Sequence, residues 1–331
     1  MRLAHKTERW FARNQRPLPW RRRYDPYEIW VSEVMAQQTR IEVVLAYYER
    51  FLARFPTLAA LAAASDDDVT AAWSGLGYYR RARMLRDGAR AVCSRFGGAI
   101  PRDVEALVEI PGIGRYTAGA IASIAFDERA PIVDGNVARV LARLFADESQ
   151  PWERATELVR AAKSPRDLNQ GLMEIGALVC KPGKPLCHAC PLRGDCAAFA
   201  TNRVDAFPSP KKKPATRQLR IALYLVTDRR GRVLMRRESG PLMNAMFHLP
   251  HGDTSLLTAA PIAVSPKELL GRFRHTVTNR RIEFEVFSAT AKRTRGFAWI
   301  DPASDFPHPS YVRKALRLAG IEGQRPLFAR P

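Results

Sequence analysis

Four cysteines fall within seventeen residues: Cys180, Cys187, Cys190 and Cys196, separated by six, two and five residues. Thiolates this close in sequence suit a tetrahedral metal ion or an iron–sulfur cubane, and either would organise the loop around it. Structural zinc usually joins two short cysteine pairs across a long spacer, so on spacing chemistry the asymmetric run favours iron–sulfur over zinc. A disulfide framework is disfavoured. The N-terminus Met1-Arg2-Leu3-Ala4-His5-Lys6 lacks the apolar core of an export signal, and no run of about 18 uncharged apolar residues occurs. The expectation is a chain that neither crosses a membrane nor leaves the cytoplasm. Cys93, alone in a helical stretch, reads as a small buried apolar residue.

A chain of 331 residues exceeds the size at which single cores stop growing, so two or three domains are expected. Its 46% hydrophobic and 26% charged residues exclude a disordered or fibrous protein. The net charge of +20 points to a polyanionic partner, nucleic acid first, although a compositional preference for arginine would also produce it. The charge is uneven. Residues 1–200 hold 29 basic and 23 acidic side chains, and residues 201–331 hold 24 and 10.

From about residue 26 to 200 the pattern is helical and rich in alanine. Asp25-Pro26 predicts a capped helix start that runs to Gln37, and a second helix follows Asp134-Gly135-Asn136 with Val137, Val140, Leu141 and Leu144 on one face. Residues 201–216, rich in proline and lysine, read as a linker. Strand-like segments follow at Leu219–Thr227, Val233–Met235 and Arg281–Thr290, and a helix near Pro309–Leu318 closes the chain. The prediction is an all-α body joined to a smaller α+β module, without internal repeats.

Three further features carry chemistry. In Ile110-Pro111-Gly112-Ile113-Gly114-Arg115 two glycines bracket one apolar residue before a helix, which suits either a plain helix–helix turn or backbone binding of a phosphate. Glu33 lies mid-helix between Ile29, Trp30 and Ala36, Gln37. Desolvation there would raise its pKa and let it act as an acid near neutrality, but a solvated or ion-paired glutamate fits equally well. Asp134 stands between Pro131-Ile132-Val133 and a helix start, so it reads as an N-cap or as a working carboxylate.

The 6-2-5 cysteine run and the glycine hairpin together resemble the helix-hairpin-helix (endonuclease III) superfamily of DNA glycosylases. Trp30-Val31-Ser32-Glu33-Val34-Met35-Ala36-Gln37-Gln38-Thr39 and Gly75-Leu76-Gly77-Tyr78-Tyr79 resemble its adenine DNA glycosylase (MutY) branch. The resemblance covers about residues 5–200, and more loosely 217–320. It implies a multidomain fold: an all-α helix-hairpin-helix glycosylase body with a 4Fe–4S loop, plus a C-terminal α+β Nudix-like domain. The implied boundaries are a helical region over 1–200, with a six-helix domain at about 25–130 and a cluster domain formed by the N-terminus and about 131–200. A linker at 201–216 and an 8-oxoguanine-reading domain at 217–331 follow.

The resemblance also implies roles. Glu33 protonates adenine, Asp134 stabilises the sugar cation, and Asn136 orients water or a carboxylate. Tyr116 stands where strand-cleaving relatives carry a lysine that forms a Schiff base, which implies base excision without strand cleavage. Gln38 and Tyr78 act as wedges at the mispair, Gly112 and Gly114 hold a phosphate, and Leu18, Trp20 and Arg21 shape the adenine pocket. Cys180, Cys187, Cys190 and Cys196 hold the 4Fe–4S cluster, with Lys181, Lys184 and Arg193 near the DNA backbone. The Nudix-like module lacks the Glu-rich metal helix, so it should bind and not hydrolyse. Its reading loop corresponds to Val277, Thr278 and Asn279, where the family carries Phe-Ser-His. The implied partner is double-stranded DNA with an adenine mispair, bound by a monomer at the nucleoid. The competing readings are a glycosylase for thymine opposite guanine and a non-catalytic iron–sulfur DNA-binding protein.

Overall fold

A computed structural model describes residues 1–210, 215–238, 245–251, 264–277, 279–292 and 294–321. The chain forms two compact units. The first comprises Met1–Tyr48, Phe55–Ala63 and Met84–Lys212, and the second Glu49–Arg54, Ala64–Arg83 and Lys213–Pro331. Two early segments, 49–54 and 64–83, thus group with the C-terminal module and not with the helical body around them in sequence.

The helices in chain order are α1 (Arg2–Asn14), α2 (Pro26–Ala36), α3 (Ile41–Arg54), α4 (Leu58–Ala63), α5 (Asp66–Ala72), α6 (Arg80–Arg95) and α7 (Val104–Val108). Then come α8 (Arg115–Ala120), α9 (Gly135–Phe145), α10 (Pro151–Arg160), α11 (Pro165–Leu178), α12 (Ala197–Ala200) and α13 (Ser310–Leu318). The start of α2 follows the sequence reading: the Asp25 side chain accepts from the Glu28 N–H and proline occupies the first turn. In the first unit a core of Ala4, Val137, Leu141, Leu158, Leu168, Leu172 and Ile175 joins α1, α9, α10 and α11. Small residues set the distances between these helices. A Cβ on Gly171 of α11 would meet Thr7 of α1 at 2.7 Å, and one on Gly176 would meet the Asn136 Cβ of α9 at 2.6 Å. Beyond α8 the chain continues through a buried π-helical turn, Ile121–Ala125.

The second unit contains two three-stranded sheets, ordered β1-β5-β4 and β3-β2-β6. The strands are β1 (Arg217–Leu225), β2 (Val233–Arg237), β3 (Phe247–His248), β4 (Val264–Val277), β5 (Arg280–Ala291) and β6 (Ala298–Ile300). β1 runs parallel to β5, and β4 antiparallel to it. Alternation along β5 buries Ile282, Phe284 and Val286 against Ile221 and Leu223 of β1 and Tyr311, Val312 and Leu316 of α13. Tyr311 stacks on Phe284 with ring centroids 4.6 Å apart. The early segments are bonded into this unit: the Tyr79 hydroxyl donates to the His308 carbonyl at 3.0 Å, and Arg54 pairs with Asp68 and Asp305. Arg237 and Asp67 form a further ion pair.

The long strand β4 was not anticipated. Its residues are mostly exposed, and Pro266 and Gly271 interrupt its pairing with register shifts, so its sequence lacks a clean alternation. Residues 201–210, read as linker, are held to the first unit. The Arg143 guanidinium donates to the Val204 and Phe207 carbonyls, and Glu148 accepts from Ser209.

The tightest contact in the helical body lies at Gly119, where a Cβ would sit 2.3 Å from the Pro131 carbonyl oxygen. Backbone on both sides leaves no side chain to swing away. Gly119→Ala is expected to destabilise the protein by about 1–3 kcal/mol, read as a lowered midpoint in denaturant. An unchanged midpoint would mean that α8 and the 131 segment separate freely.

Candidate active site

One face of the first unit opens into a cavity of about 920 Å³ between α2, α8, α9, α11 and the 3₁₀ turn Pro19–Arg21. Glu33, Tyr116, Asp134 and Asn136 all line it, with Leu18, Trp20, Arg21, Gln38, Gly112 and Gly114. Residues up to 118 positions apart in sequence, from Leu18 to Asn136, thereby face one space.

Glu33 is 6% exposed, on the face that α2 turns into the cavity. The Tyr116 hydroxyl donates to Glu33 Oε2 at 2.6 Å. Burial pushes the carboxyl up to about 7; the Tyr116 hydrogen bond opposes this, the nearby Asp134 carboxyl adds to it, and the Arg21 guanidinium opposes it again. The Tyr116 hydroxyl is itself held well above its ordinary value, by burial first and by Glu33 next. Glu33 therefore carries a proton for much of the time near neutrality while facing a space large enough for a ligand.

Asp134 takes the N-cap reading and also lines the cavity. It caps α9, with Oδ1 accepting from the Val137 N–H at 2.7 Å, and Oδ2 accepts from Asn136 Nδ2 at 3.0 Å. Asn136 is fixed in turn: its Oδ1 accepts from Arg139 Nη2 at 2.9 Å. Arg139 also donates to the carbonyls of Gly176 and Cys180, each at 2.8 Å. One guanidinium thus joins the end of α9 that carries Asp134 to the first of the four clustered cysteines.

The cavity wall also carries residues that the sequence did not single out, among them Arg16, Gln170 and Glu174. Glu174, 1% exposed, accepts from Arg16 Nε at 2.8 Å and Nη2 at 2.9 Å, and from the Arg16 backbone N–H at 3.0 Å. It also accepts from Arg21 Nη2 at 3.2 Å. Burial would raise its pKa, but the hydrogen bonds from Arg16 and then Arg21 override this and hold the carboxyl at about 2. Gln170 accepts from Arg21 Nε at 2.9 Å. The available signal was a polar pair spaced i, i+4 on α11, Gln170 and Glu174, on a helix that also buries the polar Asn169.

Among known proteins, the HhH-GPD superfamily of base excision DNA repair proteins matches residues 31–164. The adenine DNA glycosylase of Rattus norvegicus is 45% identical over 239 residues, which are 65% of this chain and 46% of that protein. The adenine DNA glycosylase of Buchnera aphidicola subsp. Schizaphis graminum is 32% identical over 258 residues, 75% of this chain and 74% of that protein. The chain belongs to the adenine DNA glycosylase family. A solved thermostable thymine-DNA glycosylase superposes with a TM-score of 0.55 at 29% identity, covering 60% of this chain and 95% of that one. The chain spans under half the length of the rat adenine DNA glycosylase.

In this member of the family the other sequence-derived residues stand as follows. Gly112 adopts φ +84°, and a Cβ there would meet the Met84 Cβ at 2.7 Å, so the turn requires glycine. Gly114 is extended with open space where a Cβ would point. Gln38 is exposed and left-handed, at φ +55°. Tyr78 belongs to the second unit, where it is 51% exposed at φ +48° with the Arg81 guanidinium over its ring. Asn279 donates to the Ala215 carbonyl at 3.1 Å; Thr278 lies outside the described residues.

Cys180, Cys190 and Cys196 pack against the core of the first unit, and all four clustered cysteines are partly exposed. Burial pushes the Cys190 thiol up to about 11, opposed by an N–H from Leu192 and reinforced by the other three thiols. N–H groups of Phe199 and Ala198 point at Cys196, and Arg143 Nη1 donates to Cys180 Sγ at 3.4 Å. Among the described residues no three His, Cys, Asp or Glu side chains converge on a single-ion site.

The buried acid has a measurable stability signature. With a folded-state value near 7 against 4.5 when exposed, the native state binds more protons than the unfolded one between those pH values. Stability therefore falls as pH rises through that window, by about 3 kcal/mol in total. Glu33→Gln keeps the acceptor for Tyr116 and removes the charge. Its denaturation midpoint is expected to match the wild type near pH 4.5 and to exceed it near pH 8. Equal midpoints at both pH values would show that Glu33 is not desolvated.

Proposed function

We propose that the chain excises adenine from mispaired double-stranded DNA by hydrolysing the N-glycosidic bond. The observation that carries this reading is a buried, proton-bearing Glu33 and an ionisable Asp134 facing one cavity large enough for a flipped base. The base must leave the stack to reach them. Glu33 donates its proton to N7 of adenine as the C1′–N9 bond breaks, so the bonding pair leaves with a neutral base. The Asp134 carboxylate, held in place by Val137 N–H and Asn136, stabilises the positive charge that develops on the sugar. Water then adds at C1′, its proton returns to Glu33, and an abasic site remains. Tyr116 offers a hydroxyl and no amine, so no Schiff base forms there and the strand stays intact.

The hairpin Gly112-Ile113-Gly114 would take a phosphate on backbone N–H groups, a contact that fixes register without reading sequence. Gln38 and Tyr78 would wedge the mispair. In the second unit the tip between β4 and β5, with Thr278, would read the base opposite adenine and prefer 8-oxoguanine to guanine. Cys180, Cys187, Cys190 and Cys196 suit a 4Fe–4S cluster: N–H donors already point at the sulfurs, and a cubane asks for a wider set of thiolates than a single ion does. Such a cluster would supply structural order and a redox couple, with no part in the base chemistry. The protein would act as a monomer in the cytoplasm, at the nucleoid.

The deciding measurement is single-turnover excision on duplexes carrying adenine opposite 8-oxoguanine, adenine opposite guanine, and thymine opposite guanine. Adenine release from the first two, with strand breakage only after alkali, is expected. Glu33→Gln should slow release at least about 100-fold, the scale of a lost general acid, while duplex binding persists. Release of thymine alone, or of no base, would overturn the reading.

Metal content tests the cysteines separately. Anaerobically purified protein is expected to be brown, with about four irons per chain. Replacement of Cys190 by serine should lower that content. Stoichiometric zinc in place of iron would refute the cluster.

A further inference from the structure

We propose that Glu174 is a positioning residue that keeps the arginines of the adenine pocket electrically compensated, so that Glu33 retains its proton at working pH. The proposal rests on the glycosylase reading above and adds a residue to it.

The geometry is that of a buried charge cluster beside an acid that must stay neutral. Arg16 and Arg21 both line the cavity, and Arg21 is 9% exposed at its side chain. One buried carboxylate, Glu174, accepts from both guanidiniums, and among the described residues no second anion bonds to either. Arg21 has five N–H groups. Nε goes to Gln170, the Nη1 pair to the Arg16 carbonyl and Glu174 Oε1, and one Nη2 hydrogen to Glu174 Oε2. Its plane is also set by the Phe11 ring, 5.0 Å from the guanidinium carbon. The fork is therefore held on the wall and does not turn onto Glu33.

Charge makes this holding necessary. An unpaired guanidinium in a low-dielectric cavity would favour the ionised form of any carboxylate near it, and an ionised Glu33 has no proton to give. The groups that face Glu33 are Tyr116 from α8, Asp134 from the cap of α9, and Arg21 from the 3₁₀ turn, with Arg16 and Glu174 behind Arg21. Arg40, Glu42 and Arg115 also line the cavity. Within this set Glu174 alone bonds to Arg16 and Arg21. Its loss would leave both uncompensated, and the sequence spacing of 153 residues from Arg21 explains why no local motif announces it.

The test is the pH profile of single-turnover adenine release, for wild type, Glu174→Gln and Arg16→Gln. Release needs protonated Glu33, so the rate falls as pH rises through its pKa. Glu174→Gln keeps the shape and removes the anion, so the falling limb is expected to move down by about one pH unit, the order for one uncompensated buried charge. Arg16→Gln removes one cation and is expected to move the limb up. In parallel, the Glu33 carboxyl is titrated in full-length, DNA-free protein by infrared difference against Glu33→Gln, and should shift in the same directions. A purely structural Glu174 would lower stability in both variants without moving limbs in opposite senses. Limbs and infrared titrations that stay at the wild-type pH overturn the proposal. Should Glu174→Gln fail to fold, Arg16→Gln decides it: no upward shift overturns it. If wild type releases no adenine, the glycosylase reading fails, while the infrared titrations still decide the electrostatic one.

Discussion

The N-terminal end of α9 is the constraint on which the candidate site depends. A helix end leaves its first N–H groups without partners, and Asp134 answers one of them with its own carboxylate. That bond fixes where the anion stands. Asn136 fixes the other oxygen, Arg139 fixes Asn136, and the Cys180 and Gly176 carbonyls fix Arg139. One turn further on, Arg143, 4% exposed, donates to the Lys181, Val204 and Phe207 carbonyls and to Cys180 Sγ. The cysteine loop and the reactive end of α9 are two ends of one hydrogen-bonded chain, whose members are mostly arginine donors to backbone oxygen. A loop whose shape depended on a bound cluster would pass that dependence to Asp134 without any iron near the base.

Two carboxyl groups face one cavity in different surroundings. Glu33 accepts a hydrogen bond from Tyr116, and burial makes it a poor home for charge. Asp134 receives a backbone N–H and a side-chain amide, which fix the directions of its two oxygens. The second unit shows the same desolvation effect on bases: His308 and His275 are both pushed down to about 4 by burial and stay neutral, serving as packing and hydrogen-bonding groups among aromatic rings.

Much of this was legible before the fold was known. The Asp25-Pro26 cap, the α9 stripe and the α13 segment follow local rules that operate within a few residues. The cavity residues from motif-bearing stretches, Glu33, Tyr116 and Asp134, were legible through a family resemblance, and the structure brings them together. What the sequence concealed is whatever depends on distant partners. Glu174 and Gln170 look like ordinary polar positions on α11 until Arg16 and Arg21 arrive from the other end of the chain. The membership of 49–54 and 64–83 in the second unit is hidden for the same reason, because it involves Arg54 reaching Asp305 and Tyr79 reaching His308. β4 is hidden differently: an exposed, bulged edge strand has no buried face to impose a period of two on its sequence.

Gln38 and Tyr78 are among the described non-glycine residues with positive φ, beside Tyr24, Asp127, Ala146, Asn202 and Ala245. Left-handed φ is costly for residues with a Cβ, of order 1–2 kcal/mol. Gln38 at φ +55° and Tyr78 at φ +48° both adopt it, in different units, where a glycine would have been easier. Each stands directly beyond or beside a motif that positions it: Gln38 follows the end of α2, and Tyr78 follows Gly75-Leu76-Gly77, whose two glycines also take positive φ. At Gly77 a Cβ would meet nothing within 4 Å, so conformation and not crowding selects glycine there. The turn needs three left-handed residues, and two of them are the residue type that adopts φ > 0 without strain. The third is an exposed tyrosine. About half of its surface is open to solvent and the Arg81 guanidinium lies over its ring, so burial does not select the residue type there.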